Sequence, residues 1–156
     1  MNYEAVIFDI DGTLIDYDYS QYYSLDKLLD IIPWNNSTRP STKEVFDYWY
    51  KEKNEFYNRP DSNKINQYDQ QKIILENVLA NWKIIVDSTQ LTNTLFDIYE
   101  TTWRAYPDVL ECLFNINKLK LCIISNGDSK FQRLKLSKTG LDRYFSEILI
   151  SGDINI

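Results

Sequence analysis

The chain has 156 residues, a formal net charge of −6 and no histidine, and 44% of its residues are apolar. That is enough apolar side chain for one domain of ordinary size or a small core carrying an insert, while the acidic balance argues against a nucleic-acid or anionic-membrane partner. Without histidine, Ser-His-Asp triads, His-ligated zinc and phosphohistidine chemistry are excluded, and no run of about 18 apolar residues offers a membrane span.

The N-terminus, Met1-Asn2-Tyr3-Glu4, lacks a basic region and leads straight into a strand, so no signal peptide is expected. Ala5-Val6-Ile7-Phe8 is an unbroken apolar run, the pattern of a strand buried on both faces of a parallel sheet covered by helices. It feeds into Asp9-Ile10-Asp11-Gly12-Thr13. Asp9 falls at the carboxyl end of that strand, where open α/β sheets bind their ligands. Gly12 permits a sharp turn there.

Beyond Asp16 the pattern turns helical. Tyr22, Leu25, Leu28, Leu29 and Ile32 predict a helix over 20–32, stopped by Pro33, and 34–40 reads as a polar loop. Ser41-Thr42-Lys43-Glu44 is a capping box opening a second helix. Its face is traced by Val45, Trp49, Glu52 and Phe56 and broadened by Phe46, Tyr48 and Tyr50. A break at 59–63 follows. Asp69 is placed to cap a third helix with Ile74, Leu75, Val78, Leu79, Trp82 and Val86 on one stripe. After Asp87-Ser88, the spacing of Leu91, Leu95, Ile98 and Tyr99 predicts a fourth helix to about residue 104. Residues 16–104 therefore read as an all-helical insert whose Tyr and Trp side chains fill a small bundle.

Tyr106-Pro107-Asp108 opens another helix, with Pro107 suited to its first position and Val109, Leu110, Leu113 and Phe114 on its face. A strand over 119–124 ends in Ser125-Asn126-Gly127-Asp128. A hydroxyl and exposed amides just before a helix suit a phosphate oxygen. A helix with Phe131 and Leu134 then closes on Gly140, and 147–150 is a third short strand. Lys130, Lys135 and Lys138 read as the solvated face of that helix. Cys112 and Cys122 lie in apolar patterns, read as small core residues rather than a disulfide, which fits a reducing, cytoplasmic setting. Neither has the arginine six residues on that a cysteine-phosphatase loop needs, since Lys118 and Asp128 stand there.

The string Asp9-Ile10-Asp11-Gly12-Thr13 after a buried strand resembles the first motif of the haloacid dehalogenase superfamily. Ser125-Asn126-Gly127 after a second strand resembles its second motif, in the family's order. Tyr106-Pro107, Lys138-Thr139-Gly140-Leu141 and Tyr144-Phe145 are also similar to family sequence, so the likeness covers essentially the whole chain. It implies an α/β fold: a three-layer Rossmann-like core with a parallel sheet, formed by 1–15 and 105–156, and an inserted helical cap of the first type over 16–104.

The resemblance also implies roles. Asp9 would be the nucleophile that becomes an aspartyl-phosphate, and Asp11 the general acid and base. Mg²⁺ would bind a carboxylate oxygen of Asp9 and the backbone carbonyl of Asp11. Ser125 and Asn126 would bind phosphate. The chemistry suits the residue types, because a carboxylate can attack phosphorus and leave again. Asp11 must hold a proton for the leaving oxygen, which burial or a neighbouring carboxylate would favour. Two aspartates favour phosphoryl transfer over dehalogenation, since the family's dehalogenases lack the second. The implied substrate is a small phosphorylated metabolite.

Two family features have no counterpart. A lysine that neutralises the phosphoryl group normally follows a segment like Ser151-Gly152-Asp153, and an acidic pair on a later strand completes the metal site. The resemblance is thus to the N-terminal part of such a phosphohydrolase, with the core incomplete. The first strand is then expected at an exposed apolar edge that invites self-association. Weak Mg²⁺ binding and little phosphatase activity are expected of this chain. A non-catalytic remnant or binding module is the alternative.

Overall fold

The computed structural model describes residues 3–34 and 38–154. Of the predicted loop over 34–40, residues 35–37 lie outside the described residues. The chain divides into two compact units, one made of Met1–Ser20 with Trp103–Ile156, the other of Gln21–Thr102.

The first unit holds a parallel sheet of β1 (Ala5–Phe8), β2 (Lys120–Ser125) and β3 (Glu147–Ile150) in the order β1-β2-β3. Its register pairs Phe8 with Ile123 and Ser125 with Ile150. Side chains alternate across a sheet. Leu121 and Ile123 form one core with Ile10, Leu14, Ile15 and Phe145, and Val6, Phe8 and Ile148 pack against it. Val109 and Leu113 of α5 (Val109–Asn115) and Leu136 of α6 (Ser129–Thr139) join that same core.

The opposite face departs from the expected strand buried on both sides. Ile7 is 59% exposed, Ile124 52% and Leu149 44%. The reason is that both helices pack on the face of Leu121 and Ile123. Among the described residues α5 and α6 thus cover one face of the parallel sheet. Leu110 and Phe114 are likewise exposed rather than on the buried face of α5, and Pro107 sits in the turn before that helix. Cys112 is exposed and Cys122 half-buried, both free, so Cys112 is not the core residue its apolar neighbours suggested. Gly140 closes α6 in a left-handed conformation at φ +68°, as its place after the helix predicts.

The second unit contains α2 (Thr42–Tyr57), α3 (Gln67–Asn81), α4 (Ser88–Thr102) and most of α1 (Tyr17–Ile31). Its core gathers Leu25, Leu28, Trp49, Phe56, Ile74, Leu75, Val78 and Leu95. The capping box of α2 forms as read, with Ser41 and Glu44 bonding reciprocally. Three details differ. α1 starts three residues early because Asp16 Oδ1 accepts the Tyr19 N–H. Asn66, not Asp69, caps α3, by accepting the Asp69 N–H. α3 also stops at Asn81, where Lys83 turns left-handed at φ 56°, so Val86 reaches the core from the following loop. No helix among the described residues is long and apolar enough to cross a membrane.

The bare sheet face and the β1 edge generate a prediction. Residues 1–156 in solution should sediment as a species larger than a monomer, because an unpaired apolar edge templates strand addition. Placing lysines at Ile7 and Ile124 should shift the distribution toward monomer. A wild-type chain that stays monomeric at high concentration would contradict this.

A second prediction concerns Asp26 on α1. The Thr42 hydroxyl bonded to it holds its carboxyl below the ordinary value, against the opposing effect of burial and with further help from Arg39. A depressed carboxylate contributes stability that is present above its unfolded value, about 3.9, and lost as pH falls through its folded value. The melting temperature of Asp26→Ala should lie below wild type near neutrality, and the gap should narrow in strong acid. A gap that is constant with pH would remove the carboxylate from the explanation.

Candidate active site

β1 ends at Phe8, and the parallel register sets the next residue, Asp9, beside the end of β2. There the Ser125 hydroxyl donates to Asp9 Oδ1 at 2.8 Å, across 116 residues of chain. Asp9 is exposed, whereas Ser125 is 6% exposed.

Asp11 is held by a tight loop. The Ile10 carbonyl accepts from the Leu14 and Ile15 amides, both at 2.9 Å, and the Gly12 N–H donates to the Ile15 carbonyl. Gly12 makes this turn at φ +77°, a region that side chains disfavour. Ile10, Leu14 and Ile15 are buried and anchor the loop.

α6 completes the arrangement. Asp128 caps it by accepting the Phe131 N–H. Gln132 and Lys135 then fall three apart, on one face of the helix. Gln132 Nε2 lies 2.9 Å from Asp11 Oδ2, 3.0 Å from the Asn126 carbonyl and 3.3 Å from Ser125 Oγ. Its Oε1 is buried with no hydrogen-bond partner among the described residues. Lys135 Nζ donates to Asp11 Oδ1 at 2.6 Å. Asp9, Ser125, Gln132, Asp11 and Lys135 thus form one continuous network.

Lys135 is 2% exposed, so it does not lie on the solvated face read from its charge. Lys130 and Lys138 are exposed, as that reading expects. The Lys135 ammonium sits 5.4 Å from the Phe131 ring and 5.8 Å from the Trp103 ring. Burial pushes the ammonium below its ordinary value, opposed by the ion pair with Asp11 and the charge of Asp9. Asp11 accordingly has donors, not another carboxylate, on its two oxygens. An ammonium and an amide N–H satisfy a carboxylate.

The turn 125–127 is braced from behind. The Gly127 N–H donates to Ser151 Oγ at 3.0 Å, and the Gly152 N–H to the Gly127 carbonyl at 3.1 Å. A Cβ at Gly152 would stand 2.6 Å from that carbonyl, so only glycine permits this approach. Asn126 presents its carbonyl to Gln132 while the residue itself is exposed.

Among the described residues no group of three His, Cys, Asp or Glu side chains could hold a metal. The oxygens of Asp9 and of the Asp11 backbone are hard donors suited to Mg²⁺. That ion commonly takes one or two carboxylates and leaves its other positions to water and phosphate. The donor chemistry fits, and the described residues supply part of the shell.

A sequence model of the haloacid dehalogenase-like hydrolases matches residues 3–156. The chain belongs to this family. Its fold is similar to that of a candidate HAD-hydrolase, YfnB from Bacillus subtilis, solved with magnesium. The TM-score is 0.78 at 19% identity, over 98% of this chain and 65% of that one. It is also similar to L-2-haloacid dehalogenase from Xanthobacter autotrophicus, with TM-score 0.75 and 19% identity over 99% and 59%. A candidate β-phosphoglucomutase from Thermotoga maritima gives 0.67 and 17% over 96% and 62%. At these identities the likeness concerns the fold alone. The chain spans 65% and 59% of the length of the first two. A search of curated protein sequences finds no match.

Gln132 ties Asp11 to the end of β2, which gives a prediction. Gln132→Leu removes the donor that serves the Asn126 carbonyl, Ser125 and Asp11. Urea denaturation should show a loss of about 1–3 kcal/mol, and amide exchange at Asn126 and Gly127 should quicken. Unchanged stability and unchanged exchange would show that the amide holds nothing.

Proposed function

We propose that the chain carries the site of a Mg²⁺-dependent phosphohydrolase acting on a small phosphorylated metabolite. The observation that supports this reading is the 2.8 Å hydrogen bond between Ser125 and Asp9. It joins the two motifs that the family resemblance singles out, which lie far apart in sequence.

In this reading an Asp9 oxygen attacks phosphorus, the phosphorus–ester oxygen bond breaks, and an aspartyl-phosphate forms. The leaving oxygen takes its proton from Asp11 in the acid form. Water then attacks the phosphorus, Asp11 takes a proton from it, and Asp9 leaves with phosphate released. Asp11 has Lys135 and Gln132 on its two oxygens. Its acid form requires the contact with Lys135 to open. Ser125 donates to a phosphoryl oxygen. Asp9 and the Asp11 carbonyl would hold Mg²⁺, which offsets the repulsion between an anionic nucleophile and an anionic substrate.

A second reading, a phosphate-binding module without turnover, is favoured by the partial metal shell among the described residues. Assay with p-nitrophenyl phosphate and Mg²⁺ separates the two. We expect slow turnover that Asp9→Asn abolishes. Ser125→Ala should lower it about a hundredfold or more, the usual cost of one preorganised donor. Phosphate binding without turnover, lost in Ser125→Ala, selects the binding module. Turnover that Asp9→Asn leaves intact contradicts both.

A further inference from the structure

Among the described residues a lysine is bonded to one of the two aspartates and acts through its charge on the other. Lys135 Nζ lies 2.6 Å from Asp11 Oδ1, delivered from α6, and its charge also acts on Asp9. We propose that Lys135 is a positioning residue that supplies positive charge to this site. It acts by holding Asp11 and by attracting the anionic group that approaches Asp9. The inference rests on the phosphohydrolase reading and adds the residue that makes a phosphate tolerable beside two carboxylates.

Three observations carry it. First, the ammonium is buried, which costs heavily unless it is paired. A leucine or methionine would fill the same place on α6 without that cost. Packing alone therefore does not account for a charge there. Second, the side chain is fixed. Its head meets Asp11, and the Phe131 and Trp103 rings flank it within cation–π range. Those rings pack edge to face, with centroids 5.0 Å apart. Third, Gln132 and Lys135 share Asp11, one oxygen each, so that carboxylate is held at two points. Asp9 and Asp11 alone would repel a phosphate. One ammonium cancels one of these two charges.

The same charge has opposite effects on the two ions that the site would take. It favours an anion and disfavours a cation. Titration calorimetry on the purified chain reads both, with Mg²⁺ alone and with inorganic phosphate at saturating Mg²⁺. Lys135→Met should weaken phosphate about tenfold or more and tighten Mg²⁺, and each tenfold is about 1.4 kcal/mol. Lys135→Arg should keep the wild-type order of both. Where the methionine variant does not fold, Lys135→Gln serves, since it keeps a donor for Asp11 without charge and should likewise weaken phosphate and tighten Mg²⁺. A purely structural lysine predicts that both ions weaken together, and that result overturns the proposal. Unchanged constants in a folded variant overturn it as well. If the wild-type chain binds neither ion, the phosphohydrolase reading falls first, and this proposal with it.

Discussion

The arrangement of this molecule depends on the register of β1 against β2. With Phe8 opposite Ile123, Asp9 and Ser125 emerge at the same end of the sheet, close enough for a direct hydrogen bond. A slip of one residue would turn Val6 and Phe8 away from the core and Ile7 into it. The register is fixed because Val6, Phe8, Leu121 and Ile123 share the face covered by α5 and α6. Hydrophobic packing on one side of a sheet thus positions two polar groups that are far apart in sequence.

Electrostatics builds on that frame. Two carboxylates brought to one sheet end repel each other, and the fold answers with donors from the end of β2 and from α6. Ser125 serves Asp9, while Gln132 and Lys135 take one oxygen each of Asp11. A buried ion pair of this kind is poor evidence of stability, because desolvation consumes much of its Coulomb energy. Its value lies in orientation and in charge. The brace behind the turn, where Gly152 meets the Gly127 carbonyl, keeps α6 and the end of β2 in one frame.

Much of this was legible in the sequence, for identifiable reasons. Apolar runs marked the three strands, and the helical stripes marked each helix, with Ser41 and Glu44 naming one helix start and Gly140 one helix end. Asp9, Asp11 and Ser125 stood out because each follows a strand in a recognisable string. Gln132 and Lys135 did not, because lysine on a helix is usually solvated. Their signal was present in spacing alone. Residues 132, 135, 136 and 139 follow one helical face, and Leu136 on it is fully buried. The exposed face of the sheet was hidden for a different reason. A continuous apolar run looks alike whether helices cover one side of the strand or both, so Ile7 gave no warning of its exposure.

In the proposed reaction Asp9 is the nucleophile that takes up the phosphoryl group. Borohydride reduces an aspartyl-phosphate but leaves a free carboxylate untouched. The chain would be incubated with a phosphate ester and Mg²⁺, quenched with borohydride, and digested for peptide mass analysis. The account predicts a reduced residue at Asp9 that depends on the ester and is missing with a 2-haloacid. Reduction at any other residue, or a labelled Asp9 with the haloacid but not with the ester, would contradict it.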